Sequence, residues 1–281
     1  MNIFNTILIQ PLTNGLILFY KLLGGNLGLA IIGFSLALRF ILNPLTKPYM
    51  ESMKKMKDVQ PQLDKLKKKY AGDNKKLLAA QADFYKQQKI NPGAGCLPYL
   101  LQIVVLIALF NVFTKVLSAG AGIEKLNELL YEPLKFASGE ALKTSFLYLN
   151  LSKPDVFRIA GFPVPIPGPL LLLAALLQFV SAKIMAPAVK IEEKIAKKTP
   201  GAVDNFQVAM QSSMTYTFPL FTLIFGMSFP SGLALYWLLF SFWQAWQQYQ
   251  TTGWGGLTPW ASRLGLLKDT RVIKSQGNKN G

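Results

Sequence analysis

The sequence predicts an all-α membrane protein with five transmembrane helices, a cytoplasmic helical hairpin after the first of them, and an N-terminal interfacial helix. Three observations carry this prediction. Hydrophobic residues are 51% of the 281 and gather into blocks about as long as a bilayer is thick. The 30 basic residues, against 14 acidic ones, collect between particular blocks. A single arginine, Arg39, lies inside the first block with no acidic residue to neutralise it.

Residues 1–25 are apolar but broken by Gln10, Pro11, Thr13, Asn14 and Gly15. They lack a basic leader and a small-residue cleavage site, so a removable signal peptide is not expected. An interfacial helix at the outer surface, roughly Gly15 to Leu23, fits the pattern, and a sixth span is the competing reading. Residues 26–46 are the first span.

Residues 47–96 change character, with twelve lysines against five acidic residues. Apolar residues recur there at three and four: Met50, Met53, Met56, Leu63, Leu66 and Tyr70, then Leu77, Leu78, Ala82 and Tyr85. Ala71-Gly72-Asp73-Asn74 supplies a turn between two amphipathic helices, and Pro61 is expected to bend or interrupt the first. The methionine row has two readings: a deformable surface for apolar partners, or packing of the hairpin against itself or the membrane.

Residues 97–117 are the second span, and 118–165 an outer connection with five basic and five acidic residues. A helix from Ile123 to Phe136 and a proline-rich exit at Pro163, Pro165, Pro167 and Pro169 are expected within it. Residues 166–187 form the third span, 188–213 a loop with four lysines and three acids, 214–229 the fourth span and 230–250 the fifth. Residues 251–281 are a tail with five basic residues and one acid, aperiodic and expected to be disordered at its end. The fourth block has 16 residues. At about 1.5 Å per residue it reaches about 24 Å, short of a hydrocarbon core of about 30 Å. Either the bilayer thins there or the block extends by one turn.

An excess of lysine and arginine marks cytoplasmic loops, which places 47–96, 188–213 and the tail inside and the balanced 118–165 outside. The N-terminus is then external and the C-terminus cytoplasmic. The net charge of +16 therefore follows from topology and does not require nucleic acid. Ribosomal RNA or anionic lipid would attract the tail equally well. Cys96 stands alone and histidine is absent, which excludes an internal disulfide and any histidine-based metal site or triad.

Helical spacing places Ser35, Arg39 and Asn43 at i, i+4 and i+8, on one stripe. Arg39 lies seven residues from the cytoplasmic end of its block, about 10 Å deep. Gln102 lies five residues in from Leu97, Ser181 five before Ala186 and Gln244 five before Tyr249, Ser241 is one turn deeper, and Thr215 and Thr217 stand at the entrance of the fourth. Such groups serve as ties between helices, worth from a fraction to about 2 kcal/mol each. They serve equally as the lining of a polar cavity that opens inward and closes outward. Arg39 favours the cavity, because an arginine near a span centre costs about 2.5 to 3.5 kcal/mol and the five spans contain no carboxylate to pair with it. No catalytic residue is expected, since in-span carboxylates, histidine and a credible Ser-Lys pair are all missing.

Four stretches carry a resemblance: Arg39 followed by Asn43-Pro44-Leu45-Thr46-Lys47; Met53-Lys54-Lys55-Met56 leading to Val59-Gln60-Pro61; Asn91-Pro92-Gly93-Ala94-Gly95-Cys96-Leu97-Pro98 leading to Gln102; and Phe229-Pro230-Ser231-Gly232-Leu233-Ala234-Leu235-Tyr236. In that order, from about Asn26 to Gln250, the chain resembles the YidC/Oxa/Alb family of membrane protein insertases. The resemblance implies a five-transmembrane-helix insertase core whose groove opens to the cytoplasm and to lipid. It also implies that Arg39 matches the family's groove arginine and that the hairpin helps receive substrates. Substrate helices in the family slide past the second and last core helices, where Phe110, Tyr236 and Trp237 occupy comparable stretches here. The expected groove set is thus Arg39, Ser35, Asn43, Gln102, Ser181, Thr215, Ser241, Gln244, Phe110, Tyr236 and Trp237.

The implied activity is insertion and chaperoning of nascent membrane proteins, without enzyme chemistry, cofactor or metal. Nascent membrane proteins and the lipid bilayer are the expected partners, a Sec translocon and the ribosome are further candidates, and the chain is expected to work as a monomer. A bacterial plasma membrane is the expected location, because no transit peptide is evident. Three departures stand out. Val104 replaces a proline common in the family, no large outer domain precedes the first core helix, and 118–165 is longer than the usual connection. A small-solute or ion transporter is the competing reading. It is weakened because the polar residues stop in the cytoplasmic half and two inverted halves are not apparent.

Overall fold

The computed structural model describes residues 3–70, 72–89, 97–117, 123–161, 163–185 and 213–266, and these are mostly helical. A π-helical turn, Asn5–Ile9, runs directly into α1, Gln10–Leu22. The helix therefore starts earlier than Gly15. Pro11 sits in the first turn of α1, directly after the π turn, so it withholds one N–H from the carbonyls of that turn. Thr13 donates to the Ile9 carbonyl at 2.7 Å. Asn14 donates to the Leu129 carbonyl at 2.8 Å and accepts from the Tyr131 amide at 2.7 Å. These polar residues are thus satisfied inside the fold. Ile9, Thr13, Leu16, Ile17 and Tyr20 form the buried face of the segment.

α2 is one helix of 43 residues, Leu27–Lys69, capped by the Asn26 side chain accepting from the Leu29 amide at 3.1 Å. It carries the first apolar block directly into the lysine-rich segment. Pro61 does not interrupt it. A proline removes one helical hydrogen bond, and the surrounding lysine, glutamine, leucine and methionine residues are strong helix formers. α3, Asn74–Gln87, follows a turn in which Gly72 takes φ +98° and Asp73 caps the new helix. α3 packs back on α2, with Leu63 and Leu77 buried. The side chains of Met50, Met53 and Met56, and residues 90–96 of the third motif, lie outside the described residues.

α4, Leu97–Leu117, passes through Val104 without a break. Val105, Ala108, Leu109, Val112, Phe113 and Val116 are buried, whereas Ile103, Val104 and Ile107 are exposed. The connection after α4 then departs from its expected single helix. α5 covers only Ile123–Asn127, and a 3-10 turn follows at Glu132–Leu134. The Asn127 side chain ends the helix by bonding both the N–H and the carbonyl of Phe136, each at 2.9 Å. Two antiparallel pairs come next: β1, Ser145–Phe146, with β2, Leu149–Asn150, and β3, Val156–Phe157, with β4, Ile166–Pro167.

The third apolar block consequently begins in a ladder, and α6 spans Pro169–Met185. Pro167 and Pro169 disfavour helix before that point, and Pro169 suits the first helical position. The fourth block is a π turn of 5 residues, Ser213–Thr217, and α7 of 9 residues, Phe218–Gly226. α8 spans Ser231–Thr252. Gly253, at φ +67°, ends it. The start of the predicted tail is ordered, with a 3-10 turn at Gly255–Leu257 and α9 at Thr258–Arg263. Leu257 is held by Val180, Ile184, Ala245 and Trp254, an apolar docking that an aperiodic pattern did not reveal.

α6 and α8 form the most extensive helix pair, with α2 against α8, α1 against α2 and α7 against α6. Large apolar side chains also face outward: Phe40 and Ile41 on α2, Leu172, Leu173 and Leu176 on α6, Phe221, Ile224 and Phe225 on α7, and Phe242 and Trp246 on α8. Exposure on this scale marks a surface that water does not cover. Among the described residues, α2 over Leu27–Pro44 is long and apolar enough to cross a membrane by itself, and Ile103–Val116, Pro169–Ile184 and Thr215–Gly226 are shorter apolar stretches.

Candidate functional site

The stripe on α2 meets a stripe on α8. Tyr236, Phe240 and Trp243 recur at i, i+4 and i+7 on α8, so they share a face. Together with Ser35, Leu36, Leu38, Arg39, Leu42 and Leu239 they line a cavity of about 30 Å³. That is room for one or two water molecules. Arg39 is half-buried there. Its guanidinium carbon lies 4.0 Å from the centre of the Phe240 ring, and its Nη2 donates to the Phe240 carbonyl at 3.2 Å. Among the described residues the arginine is therefore stabilised by a π face and a backbone dipole, with no carboxylate against it.

Three of the predicted residues, Ser35, Arg39 and Tyr236, share this cavity. Ser35 turns its hydroxyl to the Ile31 carbonyl of its own helix. Asn43 is exposed and accepts a long contact of 3.4 Å from Gln247 Nε2, at the end of the α2–α8 seam nearer the lysine-rich segment. Ser181 donates to Gln248 Oε1 at 3.1 Å, tying α6 to α8. Thr215 is buried in the π turn, and Gln244 is half-buried on α8. Ser241 is buried with no hydrogen-bond partner among the described residues. The side chain of Gln102 lies outside the described residues.

Phe110 and Trp237 meet elsewhere, on the two sides of Phe229. The ring centres of Phe110 and Phe229 are 5.3 Å apart, and those of Phe229 and Trp237 are 6.1 Å apart. One helical step of about 100° separates Trp237 from Tyr236, which explains their different neighbours. Sequence reasoning missed Phe240 and Trp243. Their spacing from Tyr236 carried the signal, since an aromatic stripe on a facing helix cradles the charge of an arginine set in an apolar stretch.

A helical bundle with apolar side chains turned outward and an arginine cradled between two of its helices defines an α-helical membrane protein with a buried cationic site. Comparison with known proteins gives the family. The family described as 60Kd inner membrane protein matches residues 18–254. A membrane protein insertase YidC of Fusobacterium nucleatum is 33% identical over 225 residues, which cover 80% of this chain and 85% of that protein. Proteins of the same name from Prosthecochloris aestuarii and Syntrophobacter fumaroxidans are 34% and 33% identical, over 77% and 87% of this chain. The chain spans only 31% and 37% of the length of those two. The chain belongs to this family of membrane protein insertases, and its setting is a bacterial inner membrane.

Proposed function

We propose that the chain inserts nascent membrane proteins through a groove between α2 and α8 that is open to the cytoplasm. The apolar stretches of α2, α4, α6, α7 and α8 are its five spans, α3 and the end of α2 its cytoplasmic hairpin, and α1 its outer interfacial helix. One observation carries the reading: Arg39 lies half-buried against Phe240, with no carboxylate on it among the described residues.

A positive charge without a counter-ion attracts the acidic or polar flank of an arriving chain. Ser35 and Tyr236 beside it, with Asn43, Gln102, Ser181, Thr215, Ser241 and Gln244 on the cytoplasmic half, keep water near that flank and lower the cost of its passage. The π turn and α7 together, Ser213–Gly226, fall short of a full span and favour a bilayer thinned on that side, which shortens the remaining apolar step. Burial of the substrate helix in lipid then drives its release. Phe110, Tyr236 and Trp237 stand along that exit. Nascent chains and lipid are the partners, with a translocon and the ribosome as candidates, and one copy suffices.

Photoreactive residues at Trp243 and Leu149 test this in the whole protein with ribosome-bound nascent chains. Crosslinks from position 243 and none from 149 are expected. Equal labelling of the two, or none from 243, removes the α2–α8 groove as the path. Solute flux through proteoliposomes lacking substrate would instead support the transporter reading.

A further inference from the structure

The outer connection supplies what two helix ends lack and packs against a third. Neither α6 nor α8 has a cap of its own: α6 starts at Pro169, and Pro230 before α8 offers no side chain to bond. The first amides of a helix need partners from outside it. For α8, the Ser231 amide donates to the Lys153 carbonyl at 2.8 Å and the Gly232 amide to the Leu151 carbonyl at 3.0 Å. The Ser231 hydroxyl donates to the Asn150 carbonyl at 3.0 Å.

For α6, the Leu171 amide donates to Asp155 Oδ2 at 3.1 Å, and the Leu170 amide to the Tyr148 hydroxyl at 3.1 Å. The Gly168 amide bonds the Asp155 carbonyl at 2.8 Å. A buried carboxylate at this end also complements the helix dipole. For α2, the Phe146 ring lies on Gly28 so closely that a Cβ there would come within 2.1 Å of it. Leu149 and Leu151, between these contacts, are buried in the same cluster as Leu27, Ile31, Phe34, Val112, Phe113, Val116 and Leu233.

We propose that residues 146–155 are an outer stopper: they seat Leu149 and Leu151 in the outer mouth of the bundle and hold the starts of α2, α6 and α8 together. Gly28 lies 11 residues before Arg39, about 16 Å along α2. The stopper therefore closes the far end of the groove, so that polar segments and water admitted from the cytoplasm do not carry ions through. This rests on the five-span arrangement proposed above and not on the insertase activity.

The test is passive proton leak into proteoliposomes holding the full chain without substrate, read by an entrapped pH dye. Folding of each variant is checked by its thermal transition. The wild type should leak no more than protein-free vesicles. Asp155→Ala should raise the leak about fivefold, the change in an opening equilibrium that loss of one helix cap produces. Asp155→Asn keeps an oxygen for the Leu171 amide and should stay near the wild type. Gly28→Ala should also leak, and Phe146→Ala added to it should return part of the seal by removing the clash. Folded Asp155→Ala and Gly28→Ala variants that stay tight overturn the stopper, and if Asp155→Ala does not fold, Ser231→Ala takes its place. Loss of the insertase reading shows separately, as a wild type that seals but inserts no substrate.

Discussion

Replacing Arg39 with methionine removes the charge and leaves an unbranched stem to fill its place. The guanidinium lies 4.0 Å from the Phe240 ring and donates to its carbonyl at 3.2 Å. A partly desolvated cation–ring contact is worth about 0.5 to 2 kcal/mol, and a hydrogen bond from a charged group about 1.5 to 3 kcal/mol. Against these stands the cost of keeping the charge within a span, about 2.5 to 3.5 kcal/mol. The two sides nearly cancel. Arg39→Met should therefore change the unfolding free energy by less than about 2 kcal/mol in either direction, as is common when a buried charge is replaced by an apolar side chain.

Insertion should respond very differently. A carboxylate about 10 Å from the guanidinium gains about 1.7 kcal/mol at an effective dielectric constant of about 20, which is more than tenfold in occupancy. Proteoliposomes offered one single-spanning substrate with an acidic flank, and a second with a neutral flank, measure this directly. The acidic substrate should lose about tenfold in Arg39→Met, the neutral one much less, and Arg39→Lys should recover most of the loss by restoring the charge. Equal insertion of the acidic substrate by wild type and Arg39→Met refutes the attraction. So does a stability loss above about 3 kcal/mol with both substrates falling alike, since Arg39 would then be a tie between α2 and α8.

Two further outcomes test the fold around the site. Gly255 combines φ +47° with a position where a Cβ would lie 1.7 Å from the Ile184 carbonyl oxygen, so Gly255→Ala should detach Gly255–Arg263 from α6. Trypsin should then cut after Arg263 much faster than in the wild type, and unchanged cleavage would remove this docking. Asp73 accepts from the Lys76 amide at 3.1 Å and its ammonium at 3.0 Å, and these bonds hold its carboxyl below its ordinary value of 3.8. A lowered native value means that the cap contributes above the unfolded value and is lost as pH falls through the native one. Protection of the α3 amides, taken relative to their intrinsic exchange rates, should therefore be unaffected by this group between about pH 5 and 8 and fall in stronger acid. Asp73→Asn should abolish that acid dependence, and an unchanged profile would show that another group controls it.

How legible the molecule was differed from element to element. α8 begins and ends within two residues of its apolar block, and α2 begins one residue inside its own, because Asn26 and Pro230 are local helix-start signals and Gly253 a stop signal readable in the chain. Where α2 ends was harder to read, since Pro61 argues for a break that its helix-forming neighbours override. The helix forecast for Ile123–Phe136 failed because Asn127 spends its side chain on Phe136, a bond that appears only once the loop has closed. At the site, the stripe of Ser35, Arg39 and Asn43 was evident from spacing alone. Its partner Phe240 was not, and Ser181 proved to face Gln248.

By itself the sequence determined the class of protein, the positions of its apolar stretches, the lysine-rich segment between the first two, and the presence of one unneutralised arginine. Each follows from transfer of residues between water and lipid, a cost that accumulates along the chain and needs no knowledge of neighbours. Tertiary structure alone decided that Arg39 rests on Phe240, that Tyr236 and Trp237 serve different clusters, and that the segment from Tyr148 to Asp155 caps both α6 and α8. Those outcomes depend on how far each helix is rotated against the next. A turn of about 100° between successive residues changes a side chain's neighbours while leaving the apolar content of the helix the same.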